Sequence, residues 1–131
     1  MSTPEGQVKD RVKELLAEFK IIPAKSVGKK HMPKFFGWYF MPVKNMLGVA
    51  GVPDVIGHYR GHFFSIETKA PGKKPTGLQA LQIELIRNSG GKVFVVDGEI
   101  SLRKVQTWLL GILNNEDEID PLVAAIPGFF A

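Results

Sequence analysis

Gly51-Val-Pro-Asp-Val-Ile-Gly-His-Tyr-Arg-Gly-His-Phe-Phe-Ser-Ile-Glu-Thr-Lys69 reads as two β-strands joined by a tight turn. Val52, Val55 and Ile56 flank Asp54, and Phe63, Phe64 and Ile66 precede Glu67. Two acids and a lysine are therefore set into two apolar, β-prone runs. A sheet keeps such charges off its interior unless they are paired or bind a metal. A two-residue loop at Arg60-Gly61 pairs Tyr59 with His62 and, counting outward, Asp54 with Glu67. Directly opposed residues have Cβ atoms about 4.5–5.5 Å apart. Lys69, two residues beyond Glu67, falls on the same face of its strand. Two carboxylates this close repel unless something positive lies between them. A hard divalent cation with oxygen ligands suits the gap.

Either side of this hairpin, the punctuation of the chain predicts further elements. Thr3-Pro4-Glu5 offers an N-cap hydroxyl and a proline at the first helical position. Val8, Val12, Leu15, Leu16 and Phe19 then recur at helical spacing, with Pro23 as the stop. Residues 24–50 are rich in Gly, Pro and Lys; within them Phe35-Phe-Gly-Trp-Tyr-Phe40 reads as a strand between Pro33 and Pro42. Thr76-x-x-Gln79 is a capping box that opens a helix over 77–88, with Leu78, Leu81 and Leu85 as its apolar stripe and Gly90-Gly91 as its close. Lys92-Val-Phe-Val-Val96 is a buried strand. Strand 63–69, helix 77–88 and strand 92–96 form a βαβ unit, so its strands should be parallel and its crossover right-handed. Ser101 caps a last helix to about Leu113, with Val105, Leu109 and Ile112 inward. The order α-β-β-β-α-β-α predicts an α/β fold with one mixed sheet between helices. A single domain spans residues 1–131, with its core over about 4–113 and a tail over 114–131.

Taken in order, Gly51-Val-Pro-Asp54, Ile66-Glu-Thr-Lys-Ala-Pro71, Pro75-Thr-Gly-Leu-Gln79 and Asn88-Ser-Gly-Gly91 resemble the VRR-NUC nuclease domain of the PD-(D/E)XK superfamily. The similarity is strong from about Gly51 to Gly98 and weaker from Pro4 to Phe19. Acid-x-lysine alone recurs by chance; the ordered combination with the glutamine and the double glycine is far more specific. The resemblance implies a restriction-endonuclease-like fold and an endonuclease that hydrolyses DNA with Mg²⁺ or Mn²⁺. It makes Asp54, Glu67 and the Thr68 carbonyl the metal ligands. It makes Lys69 the group that holds or polarises the attacking water, and brings Glu5 and Gln79 near the metal. Stand-alone domains of this kind resemble structure-selective nucleases, several of them Holliday junction resolvases acting as dimers. Branched DNA and a homodimer are the partners implied, in a bacterial or phage-infected cytoplasm, with no nucleotide cofactor.

Each residue also has a plainer reading. The plainer reading of Asp54 is a turn or bulge aspartate after Pro53, and that of Glu67 a surface strand glutamate paired with Lys69; both rank below the metal-ligand reading. Glu5 complements a helix dipole. Gln79 completes the capping box with Thr76, which does not exclude a second role. The Thr68 side chain occupies the free position of the motif. His31, His58 and His62 lack metal-ligand spacing and read as surface or turn residues. The run Phe35–Phe40 has the composition of a base-stacking platform but more often belongs to a core. Lys29, Lys30, Lys34, Arg60, Lys73 and Lys74 are the candidate phosphate contacts. Lys73 and Lys74 lead them, because they precede a helix N-terminus.

Composition bounds these readings. At 131 residues and 44% hydrophobic, the chain is long enough for one buried core. It has no cysteine, which excludes disulfides and cysteine–zinc sites and is compatible with a reducing cytosol. No apolar run approaches a membrane span, and no signal-peptide pattern opens the chain. All 17 basic residues lie before Val105, with nine of the 13 acids, so residues 1–104 are formally +8. Glu116, Asp117, Glu118 and Asp120 make the remainder acidic. A basic body suits a polyanion. The expected function is structure-selective DNA cleavage. The rivals are a nuclease for flap, single-stranded or duplex DNA or for RNA, and a nucleic-acid-binding protein that does not cut.

Overall fold

The computed structural model describes residues 2–25, 36–44 and 48–115. Helix α1 (Pro4–Glu18) begins as expected: the Thr3 hydroxyl accepts from the Gly6 N–H at 2.9 Å, and Pro4 occupies the first turn. Val8, Val12, Leu15 and Leu16 are buried. The helix stops at Glu18 rather than running on to Pro23. Lys20 adopts φ 60°, and Ile21–Pro23 forms a strand, β1. Two adjacent isoleucines favour extended backbone, and Pro23 is tolerated because β1 is an edge strand.

The remaining strands are β2 (Gly37–Phe40), β3 (Val55–Tyr59), β4 (His62–Thr68) and β5 (Lys92–Val96). They form one five-stranded sheet in the order β1-β2-β3-β4-β5. β1 and β2 are parallel, β3 is antiparallel to both its neighbours, and β4 and β5 are parallel. The fold is α/β, a mixed sheet flanked by helices, with one strand more than the sequence pattern predicted. The hairpin register is the expected one, from Tyr59↔His62 to Val55↔Ile66. Arg60 (φ 49°) and Gly61 (φ 84°) both take left-handed conformations, as a type I′ hairpin turn requires.

α2 (Gly77–Asn88) carries the predicted capping box at Thr76. α3 (Glu99–Asn114) starts three residues earlier than expected. Gly98, not Ser101, is the N-cap; Ser101 sits within the first turn, accepts from the Asp97 N–H and donates to Asp97 Oδ1, both at 2.9 Å. Helices α1 and α3 cover one face of the sheet. Their buried Val12, Leu16, Val105 and Leu109 belong to one core with Val55, Tyr59, Phe64, Ile66 and Val96.

The other face departs from expectation. Trp38 on β2, His58 on β3 and Phe63 on β4 stand in one row of the ladder, and all three are exposed. Phe40 is exposed as well, so of the described aromatic run only Tyr39 joins the core. In α2 the buried residue is Ile83. Leu78, Leu81 and Leu85, expected to point inward, are about half exposed (59%, 48% and 53%). The helix rests on β5 through another of its sides, and only that side is covered. No helix among the described residues is long and apolar enough to cross a membrane.

Candidate metal centre

Asp54 and Glu67 meet where β3 begins and β4 ends. Val55 pairs with Ile66, so the next step outward sets Asp54 against Glu67. Both are buried, at 8% and 2% exposure. Gly51 shapes this corner: it has φ +85°, and a Cβ there would stand 2.4 Å from the Leu78 carbonyl oxygen. The chain entering β3 can therefore lie against the N-terminus of α2 only as glycine.

Thr68 holds Asp54 in place. Its N–H donates to Asp54 Oδ2 at 2.9 Å, and its hydroxyl donates to the same oxygen at 2.6 Å. The sequence reading gave this side chain no chemistry; the structure makes it the anchor of the first acid. Asp54 Oδ1 faces Lys44 Nζ at 3.5 Å, and that ammonium also donates to the Val52 carbonyl. Lys44 was not foreseen at all. Glu67 Oε2 is buried with no hydrogen-bond partner among the described residues.

The two carboxyls titrate in opposite directions. Burial drives Glu67 upward most strongly, followed by the Asp54 charge and the Asp54–Glu67 hydrogen bond; Lys44 and Lys69 oppose them, and the carboxyl comes to about 8. Burial pushes Asp54 upward too. The Thr68 hydroxyl, the Thr68 N–H, Lys9 and the hydrogen bond with Glu67 more than offset it, and Asp54 ends below its usual value. The two carboxyls are thus pushed apart, Glu67 toward its protonated form and Asp54 toward its ionised one, as closely set carboxyls are.

Around the pair lies a cleft of about 320 Å³ lined by Glu5, Lys9, Lys44, Gly51, Asp54, Glu67, Thr76, Leu78 and Gln79. Glu5 and Gln79, from the first turns of α1 and α2, are thus brought to the carboxylates. Gln79 also closes the capping box, its Oε1 accepting from the Thr76 N–H at 2.9 Å. Lys69 acts on Glu67 through its charge, but the lysines that line the cleft are Lys9 and Lys44.

Other candidates fall elsewhere. Arg60 sits at the hairpin turn just past β3, six residues from Asp54 and so about 20 Å away. Its guanidinium lies 4.2 Å from the centre of the Phe36 ring. It is not part of this site. Lys73 and Lys74 are exposed in the segment before α2 and do not line the cleft. His58 and His62 are exposed, with His62 edge-on to Trp108. Lys29, Lys30, Lys34, His31, Phe35 and the tail from Glu116 lie outside the described residues.

The donors fit a hard cation. They are two carboxylates, one with an orphaned buried oxygen, crowded enough to repel. No group of three or more metal-binding side chains occurs among the described residues. A cation here would complete its shell with water, backbone oxygen or substrate. Mg²⁺ does so habitually, taking one or two carboxylates and keeping several waters. No protein-family model matches the chain, and no curated protein is similar enough to count as a relative.

Proposed function

We propose that this protein is a metal-dependent DNA endonuclease of the VRR-NUC kind, within the PD-(D/E)XK superfamily, acting on branched DNA. The observation that carries the reading is the Asp54–Glu67 pair itself. Two buried carboxyls stand opposed, and one of their oxygens has no hydrogen-bond partner among the described residues, at the wall of a cleft lined by two lysines. A purely structural role leaves that arrangement unexplained, because burying unpaired carboxyls costs stability.

The chain's own groups divide the work. Thr68 fixes the Asp54 carboxylate so that Oδ1 faces the cleft, and its carbonyl is the backbone ligand the motif implies. Asp54 and Glu67 supply the charge that holds Mg²⁺ or Mn²⁺. The bound ion would lower the pKa of a water and polarise the phosphate. Lys69, whose charge acts on Glu67, is the lysine the motif assigns to the attacking water, although Lys9 and Lys44 are the lysines that line the cleft. Gln79 and Glu5 bound the cleft and hold its solvent by hydrogen bonds. A basic body draws the DNA backbone to this cleft.

A resolvase makes two symmetric cuts and so needs two sites, which a twofold dimer supplies. The exposed Trp38, Phe40, Phe63, Leu78, Leu81 and Leu85 favour a second copy as the occupant of that surface. Summed over the sheet and α2, they expose on the order of 500 Å² of apolar area. A standard interface takes about 800 Å² per partner.

The test is a panel of labelled four-way junction, flap, duplex and single strand in Mg²⁺, Mn²⁺ and EDTA. Paired nicks near the branch point, dependent on metal, support the junction resolvase. Cleavage of the other DNAs alone keeps the nuclease and removes the resolvase. Binding without cleavage of any substrate favours a non-cutting nucleic-acid-binding protein.

A further inference from the structure

The two oxygens of Asp54 are not equivalent. Oδ2 takes both Thr68 donors, at 2.9 and 2.6 Å. Oδ1 has Lys44 Nζ beside it, at 3.5 Å. Lys44 belongs to neither strand of the carboxylate hairpin. It lies just beyond β2, its ammonium also donates to the Val52 carbonyl, and its side chain is 45% exposed. Asp54 also hydrogen-bonds Glu67, and a positive charge on a flexible four-carbon stem stands by the Asp54 oxygen that Thr68 does not hold, with solvent beside it.

We propose that Lys44 and the divalent cation exchange places on Asp54 Oδ1, and that the displaced Lys44 then contacts the DNA phosphate. Two cations in contact with one oxygen repel strongly, so Lys44 must leave when the ion arrives. Its side chain lines the same cleft as Asp54 and Glu67, which a phosphate polarised by that ion would enter. An ammonium is a compact phosphate binder that needs no fixed geometry. Before loading, Lys44 offsets part of the charge of the carboxyl pair, together with Lys9 and Lys69. This inference rests on Asp54 being a metal ligand. It adds that Lys44 contributes to DNA affinity only when metal is present.

The experiment titrates Mn²⁺ by calorimetry into wild type, Lys44→Met and Asp54→Asn without DNA, with melting temperatures as the control for folding. Lys44→Met should bind Mn²⁺ more tightly than wild type, by on the order of fivefold, as expected for a lost partly exposed ion pair. A lysine that merely braced the loop would give the opposite sign, since a loosened Asp54 binds metal less well. Equal or weaker binding by Lys44→Met, with the site lost in Asp54→Asn, overturns the exchange and leaves the metal centre standing. No Mn²⁺ binding by wild type overturns both.

A second arm measures binding of a fluorescein-labelled four-way junction in EDTA and in Ca²⁺, a hard cation with the same oxygen preference. Lys44→Met should match wild type in EDTA and bind about fivefold more weakly in Ca²⁺. An equal loss in both buffers overturns the proposal. If Lys44→Met melts far below wild type, Lys44→Gln, which keeps a donor for the Val52 carbonyl, carries the same comparisons.

Discussion

Thr68 binds Asp54 twice through one oxygen, its N–H at 2.9 Å and its hydroxyl at 2.6 Å. This pair joins the end of β4 to the entry of β3 and fixes which Asp54 oxygen meets the cleft. Thr68→Val keeps the shape and the N–H but removes the hydroxyl donor to a buried carboxylate. It should cost about 1.5–3 kcal/mol in urea unfolding and lower the rate of DNA cleavage. Thr68→Ser should recover most of both. A fully stable Thr68→Val with wild-type cleavage would show that the hydroxyl is idle.

The carboxyl pair predicts a pH dependence of known sign. In the metal-free fold Glu67 keeps its proton up to about pH 8, against a usual value of 4.5. Between those values the folded state binds more protons than the unfolded chain, so this group's contribution falls as pH rises. Asp54 is shifted the other way, and its contribution is lost only as pH falls through the acid range. Glu67→Gln removes the first titration. Its melting temperature should gain on wild type by roughly 3 °C or more between pH 5 and pH 8. Saturating Mn²⁺ at pH 8 should stabilise wild type and not the variant. A constant difference across pH would contradict the raised carboxyl.

The exposed face of the sheet and α2 makes a separate prediction. A Leu81→Lys, Leu85→Lys double variant changes two half-exposed positions, so it should melt within about 1 kcal/mol of wild type. If a second copy covers this face, the wild type sediments as a dimer at micromolar concentration and the variant as a monomer. Dimers from both place the subunit contact elsewhere.

Much of this architecture was legible in the chain because local chemistry determines it. Arg60-Gly61 set the hairpin register, which in turn aligned Asp54 with Glu67. Thr3-Pro4 and Thr76-x-x-Gln79 marked two helix starts through their caps. What escaped depends on distant contacts. The strand Ile21–Pro23 was hidden inside an apparently continuous helical pattern, and only pairing with β2 reveals it. Leu78, Leu81 and Leu85 have perfect amphipathic spacing, yet the sheet covers a different side of α2. Thr68 looked free because its role depends on where Asp54 points. Lys44 lies ten residues before Asp54 in an uncharacteristic segment, and nothing in its spacing signals the contact.

Cleavage of one labelled four-way junction in Mn²⁺ tests the central claim most directly, with wild type, Asp54→Asn and Lys69→Ala purified side by side. The account predicts metal-dependent nicking by wild type that EDTA abolishes. Both variants should stay folded, still bind the junction and cut at least about a hundredfold more slowly. Cleavage by either folded variant at the wild-type rate would contradict it.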